Sequence, residues 1–129
     1  MKLRIKGNTL RLRLSQNELN IFSKTGVVSN SVSFGPGINR TLTYTIISFD
    51  GNNIDVNFDQ NKIEVCIPHQ EANIWASSDI VSLNNSLLVN DGQELFILIE
   101  KDFQCLHKRP GEDEEANFPN PLAKKNELI

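Results

Sequence analysis

The chain contains one unit twice. Shifted by 53 positions, residues 2–47 align with residues 55–100 without a gap. Asn8/Asn61, Glu18/Glu71, Asn20/Asn73, Ile21/Ile74, Val28/Val81, Ser29/Ser82, Ser33/Ser86, Leu42/Leu95 and Ile46/Ile99 are then identical. Apolar character also persists where identity fails: Leu3/Val56, Ile5/Phe58, Leu10/Ile63, Leu12/Val65, Leu14/Ile67, Phe22/Trp75 and Val27/Ile80. A solenoid needs at least about three repeats, so two copies specify a pseudo-dimer within one polypeptide.

Each copy reads as β-β-α-β-β. Lys2–Lys6 and Thr9–Leu14 alternate apolar with charged or polar residues, the period of half-buried strands, around a Gly7-Asn8 turn. Ser15 and Glu18 form a capping box that opens a short helix, and Gly26 suits its end. Residues 27–34 and 42–49 read as strands. Asp50-Gly51-Asn52 marks the turn between copies, and Pro68 is expected as the first helical residue of the second copy. The expected fold is mainly β with two short helices, the duplicated unit forming a single closed or nearly closed pseudo-twofold barrel. Its inward set is Leu3, Ile5, Leu10, Leu12, Leu14, Val56, Phe58, Ile63, Val65 and Ile67. Residues 1–103 then form one barrel domain of two repeats, 1–50 and 54–103, and residues 104–129 an irregular acidic C-terminal tail.

At 129 residues the chain suffices for one domain with a real core, and 39% apolar content excludes neither a core nor solubility. No apolar run approaches the roughly 20 residues that span a bilayer, and the first residues lack a signal peptide's apolar stretch. A cytoplasmic protein with no membrane role is expected, its two cysteines reduced. The net charge of −3 conceals an asymmetry: residues 1–50 carry a formal +5, residues 51–100 a formal −7. Such a split bears on partners rather than on fold.

Lys2, Arg4, Lys6, Arg11 and Arg13 project from one face of the first hairpin, and Asn8 sits at its turn. A two-stranded ribbon can enter a major groove, with Lys and Arg neutralising phosphates. The opposing reading is a solvated face that keeps a sheet edge soluble or pairs with the acidic half. Cys66, His69, Cys105 and His107 are a donor set that tetrahedral zinc accepts, though without paired C-x-x-C spacing. Glu112–Glu115 read as a solvated acidic run. A tail folded back along the barrel would use Phe103, Leu106 and Phe118 as apolar anchors, with that run near Arg4, Arg11 or Arg13. No P-loop, G-x-S-x-G or HExxH occurs, and a Cys105/His107 dyad is the one nucleophile–base pairing the sequence suggests.

The stretch Lys6-Gly7-Asn8-Thr9-x-x-x-Arg13-Leu14-Ser15, continuing through Glu18-Leu19 to Gly26-x-Val28, resembles the AbrB/MazE group of swapped-hairpin barrels. In that group two protomers interleave hairpins into one DNA-binding barrel. The resemblance implies DNA contact through Lys6, Asn8, Arg11 and Arg13, with Lys2 and Arg4 on phosphates. The chain departs from the pattern in fusing the halves and in having Ser15 where the group often has Pro. Its second copy has Asp59-Gln60-Asn61-Lys62 and Cys66 in place of the basic hairpin. The ending Lys101-Asp102-Phe103-x-Cys105-Leu106-x-x-Arg109-x-x-Glu112-Asp113, with Phe118-Pro119-Asn120-Pro121, resembles an uncharacterised family of small bacterial proteins that carries no known activity. A non-enzymatic binding or regulatory protein without a cofactor is therefore expected, AbrB-like DNA binding being its most concrete form. The alternative is a protein-interaction module using the acidic second repeat or the Phe118-Pro119-Asn120-Pro121 segment. Zinc binding and catalysis stand behind both. The expected oligomeric state is a monomer or weak homo-oligomer.

Overall fold

A computed structural model describes residues 1–103. In the first repeat, β1 (Lys2–Lys6) and β2 (Thr9–Leu14) form a hairpin that ends at Ser15. The Ser15 hydroxyl accepts from the Glu18 amide at 3.3 Å, and the Glu18 carboxylate accepts from the Ser15 amide at 2.9 Å. That capping box starts α1 (Gln16–Thr25), and Gly26, at φ 81°, ends it in the left-handed conformation. Next come β3 (Val27–Ser33), a 3-10 turn at Ile38–Arg40, and β4 (Thr41–Phe49). The second repeat supplies β5 (Asp55–Asp59), β6 (Lys62–Pro68), α2 (His69–Ser77), β7 (Ser82–Asn90) and β8 (Gln93–Lys101). Pro68 is the last strand residue and caps the helix rather than opening it; the first helical residue is His69.

The strands form two four-stranded sheets, sheet A in the order β1-β2-β8-β7 and sheet B in the order β3-β4-β6-β5. Exchanging the repeats converts one order into the other, so the topology has pseudo-twofold symmetry. Each sheet joins the first hairpin of one repeat to the second hairpin of the other. The joints are the parallel pairs β2–β8 and β4–β6, and their registers are equivalent: Thr9 faces Phe96, and Lys62 faces Thr43. The mainly β class and duplicated order are as expected, but among the described residues the strands do not close into a barrel, and β1, β7, β3 and β5 are edges. They carry Lys, Asp, Asn and Ser, residues suited to unpaired strand edges.

The ungapped repeat also needs one amendment. β3 pairs Val28 with Ile46, whereas β7 pairs Leu83, not Val81, with Ile99. The third strands are therefore related by 55 positions. Where Gly26 turns α1 directly into β3, the second repeat has Asp79 and uses residues 78–81 to leave α2. The shift is taken back within the second hairpin, where β7 is two residues longer than β3 and the loop shortens from seven residues to Asp91 and Gly92.

The core lies between the sheets and under the helices. Leu12, Leu14, Ile46, Val65, Ile67, Ile97 and Ile99 are buried, and Phe22 meets Trp75 edge to face with ring centroids 6.3 Å apart. These two rings occupy equivalent positions of the repeats and join α1 to α2. Of the expected inward residues, Leu10, Leu12, Leu14, Ile63, Val65 and Ile67 are buried, and Leu3 and Val56 are half-buried. Ile5 and Phe58 are 59% and 69% exposed. They lie on the inward face but beside the hairpin turns, beyond the reach of the opposite sheet. Among the described residues, no helix is long and apolar enough to cross a membrane.

A candidate polyanion-binding face

Because Leu3, Leu10, Leu12 and Leu14 point inward, strand alternation sends Lys2, Arg4, Lys6, Arg11 and Arg13 to the outer face of sheet A. Residues of β8 share that face, and one of them reorganises it. Glu100 is in register with Arg13. Its Oε1 accepts from Arg13 Nε at 2.7 Å and lies 2.6 Å from Arg11 Nη2. Burial alone would raise the Glu100 pKa, but hydrogen bonds and charge from Arg13 and Arg11 hold it below the ordinary carboxylate range. Glu100 is therefore ionised at neutral pH, and the trio keeps an excess of positive charge with both guanidinium groups held in place.

Lys2 Nζ lies 3.0 Å from Asp102 Oδ2. Arg4 and Lys6 are exposed and have no ion-pair partner among the described residues. Asn8 has a structural task. Its amide nitrogen donates to the Glu94 carbonyl at 2.6 Å, and its own carbonyl accepts from the Phe96 amide. Its equivalent, Asn61, donates to the Asn39 carbonyl and accepts from the Thr43 amide. The shared asparagine thus clips each first hairpin onto the other repeat.

Linear alternation located the cations but missed Glu100. In the aligned repeats its counterpart is Ile47, and its proximity to Arg11 and Arg13 depends on β2–β8 pairing between repeats. The carboxylate at position 100, where the first repeat has the apolar Ile47, was the available signal.

The cysteine and histidine candidates fare differently. Cys66 is buried, 5% exposed, on β6. Burial, then the Glu64 and Asp55 carboxylates, push its thiol pKa up, which disfavours the thiolate a metal requires. His69 is exposed at the start of α2, with Nδ1 2.6 Å from Ser48 Oγ. A surface hollow of about 410 Å³ adjoins it, lined by Asp50, Pro68, Glu71 and Ile74 among others. No carboxylate bonds to the ring among the described residues, so the pair ties α2 to β4 without the third group that orients a catalytic base. Among these residues no group of three or more His, Cys, Asp or Glu side chains is arranged to hold a metal. Cys105, His107, Leu106, Phe118 and Glu112–Glu115 lie outside the described residues. Phe103 is 66% exposed and borders a groove with Leu14, Leu19 and Ala76.

No curated protein and no solved structure matches this chain. A family model does, described as a family of unknown function (DUF7009) and matching residues 1–122, and the chain belongs to that family.

Proposed function

We propose that this is a non-enzymatic binding protein that contacts duplex DNA through the outer face of its first hairpin, as a fused AbrB/MazE-like pseudo-dimer. The observation that carries the reading is the cationic row Lys2, Arg4, Lys6, Arg11 and Arg13 on the outer face of one sheet. Glu100 fixes two of the guanidinium groups, which lowers the ordering cost of placing them against phosphates. The interleaving of first and second hairpins from different repeats supports the fused-dimer comparison. A cytoplasmic location suits such a ligand.

A gel-retardation titration with bulk duplex DNA at low salt tests the reading. Retardation at micromolar protein is expected, since even non-specific binders reach Kd values of about 10⁻⁴–10⁻⁶ M at physiological salt. Arg4→Ala and Lys6→Ala should each weaken binding similarly on all sequences and reduce the salt slope by about 1. Absence of retardation at micromolar protein would eliminate DNA as the ligand.

The outer face of sheet B supports a second reading. Asp55, Asp59 and Glu64 share it, as an acidic protein-interaction surface would require.

A further inference from the structure

The duplication keeps the inward residues alike and reverses or removes the charge of the outward cations. Under the 53-residue equivalence Lys2 corresponds to Asp55, Lys6 to Asp59 and Arg11 to Glu64. Arg4 and Arg13 correspond to the neutral Asn57 and Cys66. All these positions lie on equivalent strands with equivalent registers, β1–β2 in sheet A and β5–β6 in sheet B. One molecule therefore carries two outer faces with related frameworks and opposite charge.

Some of this charge is neutralised internally. Lys2 meets Asp102, Arg11 and Arg13 share Glu100, and Lys62 lies 3.4 Å from Glu64. Glu94 also belongs to the outer side of sheet A. Arg4 and Lys6 on one face, and Asp55 and Asp59 on the other, have no ion-pair partner among the described residues. These four are all on edge strands, at the open margins of their sheets. Phe96, 37% exposed, and Leu98, half-buried, lie beside the cations and give sheet A an apolar strip. Ile47 and Thr43 flank the acidic row on sheet B.

We propose that the basic outer face of sheet A docks onto the acidic outer face of sheet B of a second copy of this chain. The occupant follows from charge complementarity: the acidic face is built on the frame that carries the basic one, with the sign changed. Such an interface is heterologous. It joins unlike patches, leaves one free face of each kind at the ends, and grows into rings or open chains rather than stopping at a twofold dimer. Exposed ion pairs are individually weak and screened by salt, so the assembly is transient and salt-sensitive. It also competes with any polyanion for sheet A, although the inference does not depend on DNA binding.

Sedimentation velocity over a concentration series, without nucleic acid, tests this. At about 10 mM salt, where charges act over roughly 30 Å, the weight-average mass should rise with concentration beyond a dimer. At about 1 M salt, where the range is roughly 3 Å, association should weaken at least about tenfold. The R4E/K6E and D55K/D59K variants should each remain monomeric, since each presents two faces of one sign. An equimolar mixture should associate again, because the unaltered basic sheet A of D55K/D59K meets the unaltered acidic sheet B of R4E/K6E, and the two altered faces form the same contact with the signs exchanged. Circular dichroism confirms that both fold. The D55K/D59K variant should still retard DNA, which separates failure of self-association from failure of the DNA reading. A mass independent of concentration at low salt would overturn the proposal, as would variants that associate alone or a mixture that stays monomeric.

Discussion

At the scale of single residues, Glu18 connects three pieces of the first repeat. It completes the capping box with Ser15, accepts from Asn30 Nδ2 of β3, and pairs with the α-amino group of Met1. Burial raises its pKa, but the amino group, Ser15 and Asn30 outweigh it and bring the value from 4.5 to about 2. Because the folded value is the lower one, the stabilisation is complete above the unfolded pKa and disappears as pH falls from about 4.5 to about 2. Glu18→Gln should therefore destabilise the protein by about 1–3 kcal/mol at neutral pH and flatten its acid unfolding in that window. Chemical denaturation at a series of pH values checks both. An unchanged acid slope would remove Glu18 from the account. Trp75, fully buried against Phe22, poses a packing test. Trp75→Ala should cost about 3–5 kcal/mol in the same assay.

Elements were legible in the sequence to the extent that local chemistry determines them. The alternation in β1, β2, β5 and β6 and the Ser15–Glu18 box located those elements within a residue or two, because each depends on near neighbours. The start of β7 was not legible from the ungapped alignment. It depends on how α2 ends, and Asp79 does not adopt the left-handed turn that Gly26 gives α1, a conformation that costs an aspartate more than a glycine. A Cβ at Gly26 would meet the Ser48 Cβ at an ordinary 3.9 Å, so substitution there strains only the backbone. Gly26→Ala should lower stability by about 1–2 kcal/mol through its positive φ. Asp79→Gly should change it by less than about 0.5 kcal/mol, since the longer exit from α2 no longer needs that conformation. Thermal melts of the two variants measure the contrast; equal losses would refute the explanation of the register shift. Candidate residues divide similarly. The cationic row followed from alternation, whereas the Glu100 pairing and the Asn8 clip required a strand distant in sequence.

For the whole molecule, interleaving decides how folding is shared. Neither sheet belongs to one repeat: β2 needs β8, and β4 needs β6. Without these parallel joints each half retains two hairpins, and isolated two-stranded hairpins are marginal in water. Phe22 and Trp75 would also each lose the aromatic partner contributed by the other repeat. Residues 1–53 and 54–129, made separately, should therefore be unfolded as monomers by circular dichroism, and mixing them should restore the native spectrum and one cooperative melt. The inward residues of the halves are nearly interchangeable, so a half at high concentration has another route: pairing with a second copy of itself. That product would place two basic faces, or two acidic ones, on a single particle, and should form less readily than the mixed complex at low salt. Raising the salt should narrow the difference as the like charges are screened. A half that folds cooperatively as a monomer would show that the repeats are independent units, and the interleaved sheets would then be incidental to stability.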